Sequence, residues 1–325
     1  MPLANPIQNL KKSYNIFSKT TLLHKVLYFL SFIVCISLIT NYGRKQVEGF
    51  KEENNKTNDF DMRDDLNEIY DDFYANIYDD MVFNKNKIDY EIGKIITLTK
   101  PTPKSYFLDI GSGTGHHVSS LNANGYKAEG IDISQSMINK AKQIYPELNY
   151  KTADAMNTSL YPAETFDQIT CFYFTIYYII NKKKLFENCF KWLVPGGYLS
   201  IHLVNRDKFD PIIPAGNPFN IVSPQKYADK RITTTTVKFD EFVYKSKFDL
   251  KETVTSIEEP NAFLTETFKN NKDGNVRRHE HKFYMLTQAE ILDIAKDTGF
   301  IIHAKIDLVR CQYDSQYIYI LQKPT

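Results

Sequence analysis

Three carboxylates and three glycines stand where alternating strands would present them to a ligand. Asp109 closes the apolar run FLDI and leads into Gly111, Gly113 and Gly115 as D-x-G-x-G-x-G. With no Cβ in the way, such glycines let the backbone approach a ligand. Asp132 closes a second run, in GIDIS, where a carboxylate can accept both hydrogen bonds of a ribose diol. Asp154, in TADAM, closes a third, where a carboxylate can accept from an adenine amino group. The competing reading of Gly111, Gly113 and Asp132 is plain turn chemistry, because a lone glycine-rich turn is common to many nucleotide folds.

These residues need strands to carry them. The pattern predicts strands over 105–110, 127–133, 150–152, 166–174 and 198–204. Helices are expected over 117–124, over 137–144 (capped by Ser134 and halted by Pro146) and over 183–193. Alternating strands and helices mean a doubly wound, mostly parallel sheet that binds ligands at its carboxyl edge. Upstream, Tyr70, Phe73, Tyr74 and Tyr78 make one helical stripe, and a second helix covers 87–98. Downstream, 205–230 is rich in proline, and 231–286 alternates as an antiparallel meander. A helix over 288–297 and strands over 301–309 and 317–322 complete seven strands. The expected fold class is therefore α/β: a Rossmann-like seven-stranded sheet with an antiparallel β insert after strand five.

Read in order, FLDIGSGTG, GIDISQSM, TADAM, FDQITCFYFTIYYI and LVPGGYLSIHLV resemble the class I S-adenosylmethionine-dependent methyltransferases. LTQAEILDIAKDTGF and the two strands after it resemble the end of that domain. The GSGTG turn differs from the G-x-G-x-x-G of NAD-binding folds. The resemblance implies S-adenosylmethionine as cofactor. Asp109, Gly111, Gly113 and Gly115 would hold its amino-acid end, Asp132 its ribose, and Ile133 and Met137 its adenine face. Asp154 and Ala155 would read the adenine, and Phe172 would lie near the sulfonium. Tyr78, in NIYDDM, matches a position that can close over the cofactor in relatives; the core stripe of an amphipathic helix explains it equally well.

On the acceptor side, Tyr173, Tyr177, Tyr178 and His202 are candidates, Tyr177, Tyr178 and His202 as catalytic residues. Each also reads as a core side chain. His279 and His281 share a strand face, and with no third ligand evident the expectation is no metal. His116 and His117 open a helix and need no catalytic role. The absence of D/N-P-P-Y/F after the fourth strand disfavours amino methylation of adenine or glutamine. The absence of a Pro-Cys pair disfavours carbon methylation of cytosine. The expected acceptor is a small or lipid-like molecule, its choice governed by the 205–286 insert. A scaffold that binds cofactor without turnover, and a protein or nucleic-acid methyltransferase, are the alternatives.

A net charge of +1, from 40 basic and 39 acidic residues, argues against broad nucleic-acid binding. The four cysteines stand far apart, without a C-x-x-C pair, so no disulfide framework or cysteine zinc site is expected. A basic tail, 1–25, precedes an uncharged run, 26–43, that as a helix would span roughly 27 Å. The expectation is a single-pass membrane anchor, then a polar tether over 44–65, then a methyltransferase domain over 66–325 facing the cytosol. Lys and Arg flank the run about equally, so they do not decide its orientation.

Overall fold

The computed structural model describes residues 61–211, 228–251, 256 and 258–325, with a few single positions before residue 32. Apart from Phe29 and Ser31, the expected anchor at 26–43 lies outside the described residues. Among the described residues no helix is long and apolar enough to cross a membrane.

In chain order the described elements are β1 (Asp61–Arg63), α1 (Leu66–Ile69), α2 (Asp72–Val82), α3 (Lys85–Thr99), β2 (Tyr106–Ile110), α4 (His116–Ala123), β3 (Lys127–Asp132), α5 (Gln135–Ile144), β4 (Asn149–Thr152), β5 (Phe166–Cys171), α6 (Thr175–Tyr178), α7 (Lys182–Trp192) and β6 (Leu193–Val204). The insert contributes β7 (Thr234–Lys238), β8 (Phe242–Leu250), β9 (Ala262–Asn270) and β10 (Val276–Phe283). Helix α8 (Gln288–Asp297), β11 (Ile301–Asp307) and β12 (Gln316–Gln322) end the fold.

Two sheets result. The larger has seven strands in the order β11-β12-β6-β5-β2-β3-β4. Strands β2 to β6 run parallel, and β12 enters antiparallel between β6 and β11. The order reverses between β2 and β5, and that is where a doubly wound sheet opens a crevice beyond its strand ends. Phe166, Ile169, Phe186, Trp192 and Leu203 are buried in the main core between this sheet and its helices. Each such side chain contributes about 1.5–3 kcal/mol by leaving water.

The second sheet has five strands, β1-β10-β9-β8-β7. Its antiparallel meander is the expected insert; its parallel edge strand β1 is not. Residues 61–63 were expected to belong to the polar tether, but they pair with 277–279. The cause is a shared carboxylate. Asp71 accepts from Arg63 Nη1 at 2.6 Å and from Arg277 Nη2 at 2.9 Å. Asp71 also caps α2, accepting from the Tyr74 amide. The folded unit thus begins before residue 66, and the rest of the expected tether lies outside the described residues. Two smaller differences concern local structure. Thr175–Tyr178 turns into a short helix, and β6 starts at Leu193 rather than at 198.

Candidate active site

The turn after β2 is built by backbone bonds that leave its outer face open. Gly111 and Ser112 both donate to the Ile131 carbonyl, at 2.8 and 2.9 Å, which lashes the turn to β3. Gly111 has φ +71°, and a Cβ there would lie 2.4 Å from Thr175 Oγ1. Only glycine fits that conformation and that approach. Gly113 donates to Asp132 Oδ2 at 2.9 Å, while Ser134 donates to Oδ1 at 2.9 Å. Each Asp132 oxygen keeps a further acceptor position. Burial raises the Asp132 carboxyl above its ordinary range, and the amides of Ser134 and Gly113 oppose that shift.

Against this turn lies a cavity of about 420 Å³. Gly111, Gly113, Asp132, Ile133, Met137, Asp154 and Ala155 line it, all as expected from the sequence, and so does Tyr78. Asp154 is exposed and uses Oδ1 on the Met156 amide at 2.8 Å, so Oδ2 is available to a ligand. A smaller cavity of about 60 Å³ continues past the glycines, lined by Asp79, His116, Phe172 and Thr175 among others, and shares Tyr78, Gly111 and Gly113 with the larger one. Asp79 is held there by Thr114 Oγ1 at 2.6 Å and by His116 Nε2 at 3.0 Å.

Three expected cofactor residues are placed differently. Asp109 lines none of these cavities: its Oδ1 accepts from Thr170 Oγ1 at 2.7 Å, across the β2–β5 register. Alternation along β2 turns its side chain to that neighbour rather than past the strand end. Burial pushes its pKa up to about 6. Gly115 also stands back from the cavities. A Cβ there would meet Tyr150 Oη at 2.5 Å, so it serves close packing at the start of α4. Phe172 reaches only the smaller cavity, its ring 4.5 Å from that of His117.

A second cavity of about 140 Å³ shares Tyr70, Tyr78, Thr175 and Tyr178 with the first. Its wall comes from both sheets. The insert brings Phe209, Asp210, Phe248, Leu264, Glu266, His281 and Phe283; the α/β part brings Tyr173 and Phe174. Tyr178 and Tyr173 are therefore at the site. Tyr177 and His202 are corrections. Tyr177 is fully buried, its hydroxyl accepting the Val204 N–H at 2.8 Å. His202 sits fully buried in the middle of the sheet, and burial lowers its pKa to about 3, leaving it neutral.

The residue that sequence reasoning missed is Glu266. It is fully buried on β9, and ligand atoms of Glu266, His279 and His281 lie within 4.8 Å of one another. The signal was present: in AFLTETF, Glu266 alternates with Leu264 and Phe268 on the inward face, where a carboxylate stays only if it is paired. The third partner that His279 and His281 lacked in the sequence comes from the strand next to theirs.

Comparison with known proteins agrees with this geometry. A family profile described as "Methyltransferase domain" matches residues 108–201. The chain is 30% identical over 137 residues to dTDP-4-amino-2,3,4,6-tetradeoxy-D-glucose N,N-dimethyltransferase of Saccharopolyspora spinosa, covering 40% of this chain and 53% of that one. It is 27% identical over 220 residues to phosphoethanolamine N-methyltransferase of Plasmodium falciparum, covering 64% and 73%. Against a ubiquinone biosynthesis O-methyltransferase of Coxiella burnetii it is 30% identical over 106 residues, 31% and 44%. The chain thus spans about half the length of the first of these relatives. Among solved structures, an S-adenosylmethionine-dependent methyltransferase from Clostridium acetobutylicum superposes with a TM-score of 0.58 at 17% identity, over 78% of this chain and 98% of that one. An amino pentose methyltransferase from Micromonospora echinaspora, solved with S-adenosylmethionine bound, gives 0.56 at 14%, over 77% and 96%. Both likenesses bear on the fold. Residues 108–201 thus match a methyltransferase domain, on the fold that the S-adenosylmethionine-dependent methyltransferases share.

Proposed function

We propose that this chain methylates the nitrogen of a small amine-bearing molecule seated in the second cavity. The observation that carries the reading is the shared wall: Tyr70, Tyr78, Thr175 and Tyr178 face both cavities, so an acceptor in one lies against a cofactor in the other. The lining favours a cation. Aromatic faces stabilise an ammonium group, and the Glu266 and Asp210 carboxylates add negative charge. The N-methyltransferase names among the relatives support the same choice.

The cofactor site passes a fit test on this chain's own atoms. Gly111, with Thr175 packed where its Cβ would stand, lines the cavity as bare backbone, and Asp132 and Asp154 each present an acceptor to it. Asp132 would hold the ribose hydroxyls, Asp154 the adenine amino group, and Ile133 and Met137 the adenine faces. Asp79 would sit by the amino-acid end. When bound, S-adenosylmethionine supplies an electrophilic methyl carbon on a sulfonium. The chain's contribution is then to align the acceptor, exclude water and take away a proton. Tyr70, Tyr78 and Tyr178, packed edge to face across the shared wall, do the aligning and the excluding.

Incubation with methyl-labelled S-adenosylmethionine and three probes, phosphoethanolamine, glucosamine and catechol, tests the reading. Label in either amine together with release of S-adenosylhomocysteine is the expected result. Label in catechol alone would move the proposal to oxygen acceptors, and cofactor binding without label in any probe would leave a binding scaffold. We further propose that residues 26–43 anchor the chain in a membrane with the domain on the cytosolic side. Full-length protein should resist alkaline carbonate extraction and carry no glycan at Asn55 or Asn157. Recovery in the soluble fraction, or a glycan, would contradict this.

A further inference from the structure

We propose that Tyr178, His281 and Glu266 form a proton relay that takes a proton from the acceptor amine. The proposal rests on the reading of the second cavity as the acceptor site. Tyr178 Oη stands 2.6 Å from His281 Nδ1, and His281 Nε2 stands 2.7 Å from Glu266 Oε2. Glu266 Oε1 accepts from Tyr244 Oη at 2.8 Å, and Tyr70 Oη lies 3.0 Å from Tyr178 Oη. All three members of the chain line the acceptor cavity, and Tyr178 lines the cofactor cavity too.

The direction of each bond follows from the charge on Glu266. Burial works to raise its carboxyl, but His281, His279 and Tyr244 outweigh that and hold it well below the ordinary range. An ionised carboxylate only accepts, so His281 Nε2 carries the proton. A neutral His281 then offers the Nδ1 lone pair to the Tyr178 hydroxyl, which donates to it. The Tyr178 oxygen keeps lone pairs for a proton from the cavity. Tyr178 is no base by itself, because burial raises the phenol well above its ordinary value. The imidazole is the group able to keep the proton.

The step balances as follows. The acceptor N–H bond breaks, and its electron pair stays on nitrogen for the new N–C bond. The proton passes to Tyr178 Oη while the Tyr178 proton passes to Nδ1. The charge created on His281 is met by Glu266, the orienting logic of a Ser-His-Asp triad with a tyrosine in first place. The proton leaves to water when the product departs. Facing His281 are Tyr70, Tyr74 and Tyr178 from the α/β side, Glu266 from β9 and His279 from its own strand.

The same residues form a poorer metal centre. Arg277 Nε donates to His279 Nε2 at 2.6 Å, so the His279 proton sits on Nδ1, 3.6 Å from Glu266 Oε2. A metal there would have to displace that proton, beside a guanidinium fixed on Asp71. His279 and Arg277 instead act as positioning residues for Glu266.

The full-length chain bound to S-adenosylhomocysteine, with nitrogen-15 in its histidines, gives a readout independent of turnover. The His281 resonances should show a protonated Nε2 and a bare Nδ1, and Tyr178→Phe should shift the Nδ1 signal. A proton on Nδ1 would overturn the relay. With phosphoethanolamine as acceptor, Tyr178→Phe and His281→Gln should lower kcat by about 10²- to 10⁴-fold, and His281→Gln, whose side chain lines only the acceptor cavity, should leave S-adenosylhomocysteine affinity unchanged. Unchanged kcat in His281→Gln would refute the proposal. If the wild type methylated none of the probes, the acceptor reading would fall with its amine. The resonances would still decide whether the relay exists as drawn.

Discussion

The carboxylate of Asp132 accepts the Gly113 N–H at 2.9 Å, so the acid that ends β3 fixes the turn that follows β2. The residue expected to hold a ribose diol thus also holds the glycine turn. Loss of that carboxylate should disturb the turn and the cofactor together.

Gly111→Ala tests the turn from the other side. A Cβ would stand 2.4 Å from Thr175 Oγ1 in a backbone at φ +71°. The variant should lose about 1–3 kcal/mol of stability and bind S-adenosylhomocysteine more weakly. Adding Thr175→Gly removes the clash but not the backbone strain, so thermal unfolding should recover only in part. Full stability in the single variant would contradict the geometry.

A chain beginning at residue 66 should unfold at lower temperature than one beginning at 58. The shorter chain lacks β1 and the Arg63–Asp71 pair at 2.6 Å, which together close one edge of the insert's sheet. Differential scanning calorimetry of the two checks this. Equal transition temperatures would return residues 61–63 to the tether.

His202 gives a pH prediction. Its folded pKa is lowered to about 3 by burial, against about 6.5 when unfolded. The unfolded state therefore binds the proton first. The stability linked to this group is present above pH ~6.5 and is lost as pH falls toward about 3. Asp109, raised to about 6 by burial, works in the opposite sense. Glu91, which burial would raise but Lys87 brings down to about 2, works in the same sense at lower pH. Asp109's effect persists in His202→Gln and Glu91's falls at lower pH, so denaturant unfolding of wild type and variant should show wild type losing stability relative to the variant between pH 6.5 and 4. Parallel curves would contradict a neutral, buried His202. Cofactor affinity should be equal in the two proteins.

The α/β half was legible because its signals are local. Gly111, Gly113, Asp132 and Asp154 each sit at a strand end that hydrophobic pattern and turn residues mark. What eluded the sequence depends on pairing between distant segments. Nothing near Arg63 says that Asp71 will also take Arg277, so β1 read as tether. Nothing near His281 names Tyr178, 103 residues away, as its partner. His202 and Tyr177 follow the same alternation as the residues that line the cavities and differ only in which way the strand or helix turns them. Asp109 ends in the motif's place but turns to Thr170, a choice made by the neighbouring strand.

The central claim is a cofactor site built on the glycine turn and Asp132, and titration calorimetry of S-adenosylhomocysteine into the full-length chain tests it most directly. The account predicts saturable binding at one site per chain. In Asp132→Ala it predicts affinity weakened by about 1–3 kcal/mol, about fivefold to 150-fold. No saturable binding to the wild type, or the same affinity in both proteins, would contradict it.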